Sequence, residues 1–578
     1  MRALYIRAIP RNPEQRQQER DSATIVGAKT FGWSALCALL QYGTYDAYFA
    51  PGLTNERKEE LTADGMIRDS MKRLVPVPPG NKFLVEDCDE LVLTTLGPEL
   101  HTLATIRQKL RRDDAPLCGL IHSVNSAKIP FALLQQCFAG LCEADLLLCS
   151  SRAGLTTIDM FIEQIGRLLS PSTQYRARRV LVPLGVNIPT LCQEDRVTLR
   201  QRLKIGPQDV VVLFFGRLSS VSKSDLGPLL VALSILLRTG TNIHLLIAGD
   251  DTEINETPRL QALASELGCR AKLTIWPNPS AKDKHMLYSS ADVFASLADN
   301  LQETYGLAVA EALAYGLPAV VSDWDGYRDL VIDGETGFLV RTFFPPNLDT
   351  LQLFDCPISM IEEDLLAQST TVDIRAFCDR LQKLCDPALR AQMGRSARLL
   401  AEQRCSWQVI VKRYEQLWDE ALRITRTAHR EGSPTSPPIC FPLAKGFGHF
   451  ASAKRSPECK CFITTEGHEW LRRPARLYFL CHLYGPPAPQ GFEEMLRTIA
   501  GYPGISVASV VALFSDSTNR RSTTNAHWTL GRLFKYGLVS CGADCVNCAD
   551  APEATKPRYT IHEEANRVVG EDISATEH

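Results

Sequence analysis

Between about residues 205 and 340, short apolar runs alternate with longer amphipathic stretches, and this alternation limits the fold more than any other feature of the chain. The runs are Val210–Phe215, Ile243–Ala248, Leu273–Trp276, Val293–Leu297, Ala319–Ser322 and Phe338–Val340, with Leu226–Arg238, Pro258–Leu267 and Leu307–Tyr315 among the segments between them. A run that is apolar throughout is a strand buried on both faces, and helices separating such strands imply a parallel sheet covered on each side. The stretch therefore predicts a doubly wound α/β domain.

The first half repeats the pattern more faintly. Leu4–Ile9, Thr44–Phe49, Leu91–Thr94, Leu117–His122, Leu146–Ser150 and Val180–Pro183 read as strands, with helices at about 25–41 and 130–143. The organisation expected is a Rossmann-like domain at 1–195 and a second at 196–427, closed by helices at about 388–403 and 407–426. A Pro/Ser linker follows at 428–440, containing Gly432-Ser-Pro-Thr-Ser-Pro-Pro438, and then a different segment at 441–578. Two such sheets facing each other enclose a crevice at the carboxyl ends of their strands, where ligands bind in this architecture.

Composition excludes several classes. Lys+Arg 63 against Asp+Glu 66 gives a net charge of −3, so no global field draws the chain to nucleic acid or anionic lipid. No apolar run approaches the roughly 20 residues that span a bilayer. The opening Met1-Arg-Ala-Leu-Tyr-Ile reads as a strand rather than an export signal. With the 19 cysteines scattered, the expectation is a cytoplasmic protein with reduced thiols.

The residues that carry chemistry fall at two strand ends. After Val293–Leu297 comes Asn300-Leu-Gln-Glu-Thr-Tyr-Gly306, opening a helix whose first amides, at Gly306, Leu307 and Ala308, attract an anion such as a diphosphate. Glu303 stands before that helix and Glu311 within it; eight helical residues rise roughly 12 Å, a spacing that suits two ends of one extended ligand. A carboxylate accepts two hydrogen bonds from a vicinal diol, which sugars and ribose both offer. The plainer reading has Glu303 as a loop carboxylate and Glu311 as a solvated helix residue, although Val309, Ala310, Ala312 and Leu313 around Glu311 make a poor solvated face. The other strand, Val210–Phe215, ends in Gly216-Arg217, with Lys223 six residues on: two cations placed to neutralise a departing diphosphate, or two ordinary surface charges.

Together these residues resemble the retaining two-Rossmann (GT-B) glycosyltransferases of family four, related to sucrose and starch synthases. The resemblance spans roughly 115–425. It rests on His122 after a strand, Ala144–Ser150, Val182-Pro-Leu-Gly-Val-Asn187, Gly216-Arg217 with Lys223, Leu246-Ile-Ala-Gly249, Ser290-Ala-Asp-Val293, the E-x7-E pair Glu303/Glu311, Asp333-Gly-Glu-Thr-Gly-Phe338, and Ser406-Trp407 with Tyr414. It implies an enzyme that moves a hexose from a nucleotide sugar (UDP-, GDP- or ADP-hexose) to an acceptor, with retention and with no required metal or cofactor. Arg217 and Lys223 would clamp the diphosphate, with Gly216 admitting the ligand to the backbone. Gly306, Leu307 and Ala308 would supply amides, Tyr305 would join the donor site, Glu303 would contact the sugar, Glu311 would hold the ribose, and His122 would sit beside the sugar. The alternatives are a sugar-nucleotide epimerase or hydrolase on the same fold, or a catalytically inactive nucleotide-sugar sensor. The acceptor (glycan, lipid, peptide or small molecule) is not legible. The chain departs from the family in its reduced N-terminal glycine loop, Gly27 and Gly32, where Lys29 or Thr30 would substitute; in Ser224, where glycine is usual; and in the insertion Pro345–Thr371. Asp323-Trp-Asp325 resembles the metal-binding Asp-x-Asp of a different glycosyltransferase fold and reads here as a donor-side loop.

Residues 441–578 lack the βα alternation. Helices at Ile505–Phe514 and Thr523–Lys535, then strands at Tyr536–Ser540 and Arg558–Ile561, suggest a small α+β winged-helix-like domain. Residues 441–560 hold 14 Lys/Arg against 9 Asp/Glu, hence +5. We read it as a docking or dimerisation module; the alternative is DNA binding through Arg520, Arg521, His527 and Arg532. Cys541, Cys545 and Cys548 have a spacing that suits structural zinc, with Cys459, Cys461 or His562 as fourth ligand, or are simply free thiols.

Overall fold

A computed structural model describes residues 1–7, 27–51, 70–77, 88–343, 370–430, 456–480, 489–515 and 520–542, apart from isolated positions within these ranges, together with residues 53, 58 and 367. The chain divides into two compact units, Met1–Cys440 and Phe441–His578.

The first unit holds two all-parallel sheets. One comprises β1 (Arg2–Ile6), β2 (Ala47–Pro51), β3 (Leu74–Val77), β4 (Glu90–Thr94), β5 (Leu117–Ile121), β6 (Leu146–Cys149) and β7 (Arg178–Leu181), in the order β3-β2-β1-β4-β5-β6-β7. The other comprises β8 (Val210–Phe215), β9 (Ile243–Gly249), β10 (Leu273–Pro277), β11 (Val293–Ser296), β12 (Ala319–Ser322) and β13 (Gly337–Val340), in the order β10-β9-β8-β11-β12-β13. These are the two Rossmann-like lobes that the alternation predicted. Strand β9 is buried at every residue, and β5, β6, β11 and β12 likewise, as sheets covered on both faces require. The short edge strand β3 escaped the sequence reading because Leu74-Val-Pro-Val77 contains a proline, which an edge tolerates. Helices Leu100–Leu110 and Arg152–Leu168 were also unread, the second being amphipathic with only Gly154 and Ile158 buried.

In each sheet the strand order reverses once, between β1 and β4 and between β8 and β11. Successive loops leave in opposite directions there, opening a crevice at the carboxyl ends. The helix Trp407–Arg430 returns from the second lobe to the first: Thr44 N donates to Glu415 Oε1 (2.6 Å), Arg178 Nη1 to Glu420 Oε1 (2.6 Å), and the Tyr45 and Trp418 rings meet edge to face. Val186 N donates to Cys405 O (2.7 Å) where the chain passes between the lobes. Gly185 is required beside it, since a Cβ there would come within 2.2 Å of the Trp407 ring.

Asp145, at the start of β6, is completely buried and forms a two-pronged pair with Arg107 (2.7 and 3.2 Å) while accepting from Leu117 N and Cys142 N. It ties one helix and two strands together.

The second unit has a three-stranded antiparallel sheet in which Lys460–Ile463 lies between Ile505–Ser506 and Val539–Cys541. Its helices Pro489–Gly501, Val507–Leu513 and Arg520–Lys535 pack around Phe492, Leu496, Val510 and Leu533. The expected helix at 505 thus begins with two strand residues, and the sheet uses Lys460–Ile463, which the sequence reading did not assign. Arg558–Ile561 lies outside the described residues, as do Cys545, Cys548 and His562 and nearly all of Pro345–Thr371. The zinc reading gains no support. Cys541 is a free thiol, Cys459 is disulfide-bonded rather than available as a thiolate, and no group of three or more His, Cys, Asp or Glu fit to hold a metal occurs among the described residues. The disulfide also corrects the expectation that every thiol is reduced; Cys118, Cys149, Cys269, Cys378 and Cys405 are buried free thiols. No helix among the described residues is long and apolar enough to cross a membrane.

Removing Arg107 strands a buried carboxylate, so Arg107→Ala should destabilise the first lobe by about 3–5 kcal/mol, against about 0.5 kcal/mol or less for breaking the exposed Arg167–Glu163 pair. Denaturant unfolding of the two variants checks this, and equal losses would refute it.

Candidate functional site

The reversal between β8 and β11 brings the two predicted clusters together. Strand β8 ends at Phe215 and leads into Gly216-Arg217; the loop after β11 carries Glu303. Lys223 Nζ forms an ion pair with Glu303 Oε2, and the buried Tyr327 hydroxyl, itself 2.8 Å from Ser296 Oγ, donates to the same oxygen at 3.3 Å. Glu303 is 8% exposed, a setting that a carboxylate tolerates only when partnered. Burial, and secondarily the charge on Arg217, push the Lys223 ammonium down to about 7. Contact with Glu303 works the other way.

Arg217 is held by its own loop. Its guanidinium donates to Ser222 Oγ (2.9 Å) and Ser222 O (2.8 Å), with Glu253 3.8 Å away, and burial lowers its pKa. Two cations thus stand at the end of β8, Lys223 neutralised by Glu303 and Arg217 only loosely paired.

Gly306 caps the helix Leu307–Ala314 at φ +98°, in the left-handed region that favours glycine, and a Cβ there would lie 2.5 Å from the Tyr327 ring. Tyr327 therefore stands beside both the Gly306 cap and Glu303, and the first amides of the helix have no partner within it. Glu311 accepts from Lys284 Nζ at 2.6 Å and from the Tyr288 hydroxyl at 3.3 Å. A cavity of about 160 Å³ is lined by Glu311, Lys284 and Leu307 from the second lobe, Phe31 from the first, and Asn187 and Trp407.

His122 follows β5, and its ring stacks edge to face on Phe31 at 4.8 Å. Burial pushes the imidazole down to about 4, so it is neutral near pH 7, and its Nε2 is buried without a protein partner. A buried unpartnered acceptor at a strand end is poised for a ligand hydroxyl. Tyr305 goes elsewhere: its hydroxyl donates to Leu184 O at 3.0 Å, joining the lobes from inside the core. The side chains of residues 27–30, which include Gly27, Lys29 and Thr30, lie outside the described residues.

Lys284, Tyr288 and Tyr327 were not singled out from the sequence. They come from helices remote in sequence from the Glu303/Glu311 segment, and no spacing rule links them to it.

The Asp323-Trp-Asp325 stretch has a structural use. Asp323 pairs with Arg328 (2.7 Å). Asp325, at φ +42°, is partly buried, with its Oδ1 3.5 Å from Ser151 Oγ, the cap of helix Arg152–Leu168 in the first lobe. Arg152 N donates to Asp329 Oδ2 (2.6 Å), so two carboxylates of the second lobe sit on the positive end of a first-lobe helix.

Residues 195–347 match the family "Glycosyl transferases group 1". A D-inositol 3-phosphate glycosyltransferase of Segniliparus rotundus is 30% identical over 166 residues, 28% of this chain and 36% of that protein. One of Acidothermus cellulolyticus is 28% identical over 253 residues, 43% and 49% of the two chains. The match thus spans between about a third and a half of these relatives. Among solved structures, Anabaena Alr3699/HepE in complex with UDP is 17% identical with a TM-score of 0.48, covering 73% of this chain and all of that one. A glycosyltransferase from Rickettsia africae gives 14% and 0.48, covering 73% and 99%.

Burial raises the Asp325 carboxyl to about 7, with Gly326 N–H, Ser151 and Arg328 opposing and Asp329 reinforcing. Between its unfolded value near 4 and 7, the folded state holds the extra proton, so this group's contribution to stability falls as pH rises. Asp325→Asn keeps a side chain that accepts a left-handed backbone and removes the charge. Its melting temperature should exceed wild type at pH 8, and the gap should shrink steadily below pH 7 to close near pH 4. A constant offset between the two would refute the assignment.

Proposed function

With a glycosyl transferases group 1 domain in the chain, we propose that the protein is a retaining glycosyltransferase that moves a hexose from a nucleotide sugar to an acceptor hydroxyl. The observation that carries the reading is the convergence of Arg217, Lys223 and the Gly306-capped helix end where the strand order reverses. These groups form an anion cradle. Glu303 lies at one side of it and Glu311 one to two turns along the helix.

In this reading the donor diphosphate lies across the Leu307 and Ala308 amides, drawing Lys223 from Glu303 onto its oxygens, with Arg217 beside it. Departure of the sugar breaks the bond between the anomeric carbon and oxygen and leaves the electron pair on the diphosphate. Cations already in place stabilise that charge without reorganisation. Glu303 then faces the positive charge that develops on the sugar, Glu311 holds the ribose diol, and neutral His122 accepts from a sugar hydroxyl. Tyr305 shapes the loop through the core rather than touching the donor. The second unit is read as a winged-helix-like docking module, supported by its three-stranded sheet and clustered helices.

The test is acceptor-dependent release of nucleoside diphosphate from a panel of nucleotide sugars. Arg217→Ala and Lys223→Ala should each lower kcat by roughly 100-fold or more, the usual scale for one transition-state donor. Because Lys223 loses its proton near 7, affinity for the diphosphate should fall as pH rises from 6 to 8.5, and Lys223→Arg should flatten that dependence. Release independent of acceptor would favour a hydrolase, binding without turnover a sensor, and full activity in both alanine variants would end the proposal.

A further inference from the structure

Asp292, just before β11, is the centre of a charge cluster that the donor site does not use. Helix Gln193–Arg202 places Arg196 and Arg200 four residues apart on one face. Their guanidinium groups meet the carboxyl end of helix Ala281–Ser290 at Ser290 O and Ala291 O, and each donates to Asp292, at 2.6 and 2.5 Å. Helix Pro387–Arg404 brings a third cation, Arg390, whose Nε lies 3.9 Å from the same carboxylate. Val211 N also donates to Asp292, at 2.7 Å. Three guanidinium groups thus share one carboxylate, and the side chains of Arg200 and Arg390 are only 15% and 20% exposed.

The positive excess is not met by the neighbouring carboxylates. Asp209 is bound by Lys272 and Glu402 by Arg398, while Asp386 caps helix Pro387–Arg404. Arg390 spends Nη1 on Leu384 O (2.6 Å) and Cys385 O (3.2 Å), and its Nη2 has no hydrogen bond among the described residues. Arg395, exposed on the same helix, has no partner among them either. Burial lowers the Arg200 pKa; Asp292 opposes, and the charges on Arg196 and Arg390 lower it further. A largely buried charge without a counter-ion is costly, so this cluster lacks an anion.

A cavity of about 750 Å³ opens on the cluster, lined by Arg196, Asp292, Arg390 and Arg395 and by the Arg398–Glu402 pair. None of Arg217, Lys223, Glu303, Glu311 and His122 lines it. A space of this size takes a whole small molecule rather than a lone ion. Its walls include the Tyr288 and Tyr315 rings, stacked 5.0 Å apart, and Leu191 and Leu399, each more than half exposed. A phosphomonoester carries about −1.5 to −2 charges near pH 7 and accepts paired N–H donors from arginine. Its organic part would lie against the rings and leucines.

We propose that this cavity is a second ligand site, separate from the donor crevice, that binds a small phosphomonoester through Arg390 and Arg395 with Arg196 beside them. The phosphate supplies the counter-charge that the three arginines around Asp292 lack.

Titration calorimetry of the full chain at constant ionic strength, with ribose 5-phosphate, ribose and inorganic phosphate, tests this. Ribose 5-phosphate should bind more tightly than inorganic phosphate, and ribose should not bind measurably. Arg390→Met and Arg395→Gln should each weaken ribose 5-phosphate by about tenfold, the scale of one charge-assisted hydrogen bond. Arg217→Ala, in the donor crevice, should leave the affinity within about twofold. Arg395 is exposed and bonded to nothing described, so its replacement carries the test even where Arg390→Met unfolds the chain. Unchanged affinity in the Arg395 variant, a large loss in Arg217→Ala alone, or no binding of the ester to wild type would overturn the assignment. An ester that binds no better than inorganic phosphate would overturn it as well.

Discussion

An all-parallel sheet can receive a ligand only where neighbouring strands send their loops in opposite directions, and in the second lobe that happens once, between β8 and β11. The rest of the site follows. Arg217 and Lys223 leave one side of the gap and Glu303 the other, so cations and carboxylate meet although 80 residues separate Lys223 from Glu303. Gly306 turns the chain into the helix that carries Glu311, and the Tyr327 ring beside it reaches Glu303. Without the reversal, the same side chains would be a scattered set of surface charges.

The lobes are joined by groups chosen for close approach. Gly185 admits the Trp407 ring, Tyr305 reaches Leu184 O, and the last long helix returns to bond with Thr44 and Arg178. Asp325 and Asp329 add a polar contact at the amino end of the helix Arg152–Leu168. A crevice between two lobes needs such ties if groups from both sides are to meet one ligand, as Phe31 and Glu311 do around one cavity.

Electrostatics within the crevice are arranged as stored charge. Lys223 rests on Glu303, Lys284 on Glu311, and Arg217 near Glu253. A buried charge is costly unless paired, so Lys223 and Lys284 rest on the two carboxylates of the E-x7-E pair, and Arg217 is held mainly by Ser222. In the proposed reading, an anionic ligand exchanges partners rather than creating new buried charge. His122 is neutral, because burial disfavours the imidazolium.

The alternation of short, wholly apolar runs with longer amphipathic stretches determined by itself that two parallel α/β lobes form, since runs this short between helices fit strands buried on both faces; β8 and β12 begin and end where that pattern places them. Glu303, Glu311, Arg217 and Lys223 were legible too, because each lies at a strand end or on a helix that follows one. Only the tertiary structure decided what these groups touch. Lys284 and Tyr288 reach Glu311 from one helix and Tyr327 reaches Glu303 from another, and Tyr305, inside the same motif, turns away into the core. Asp323 and Asp325, which resemble metal ligands on paper, pair with Arg328 and lie against the first lobe. Local spacing records which backbone a residue belongs to. The direction of its side chain, and the charge that meets it, depend on packing between segments far apart in the chain.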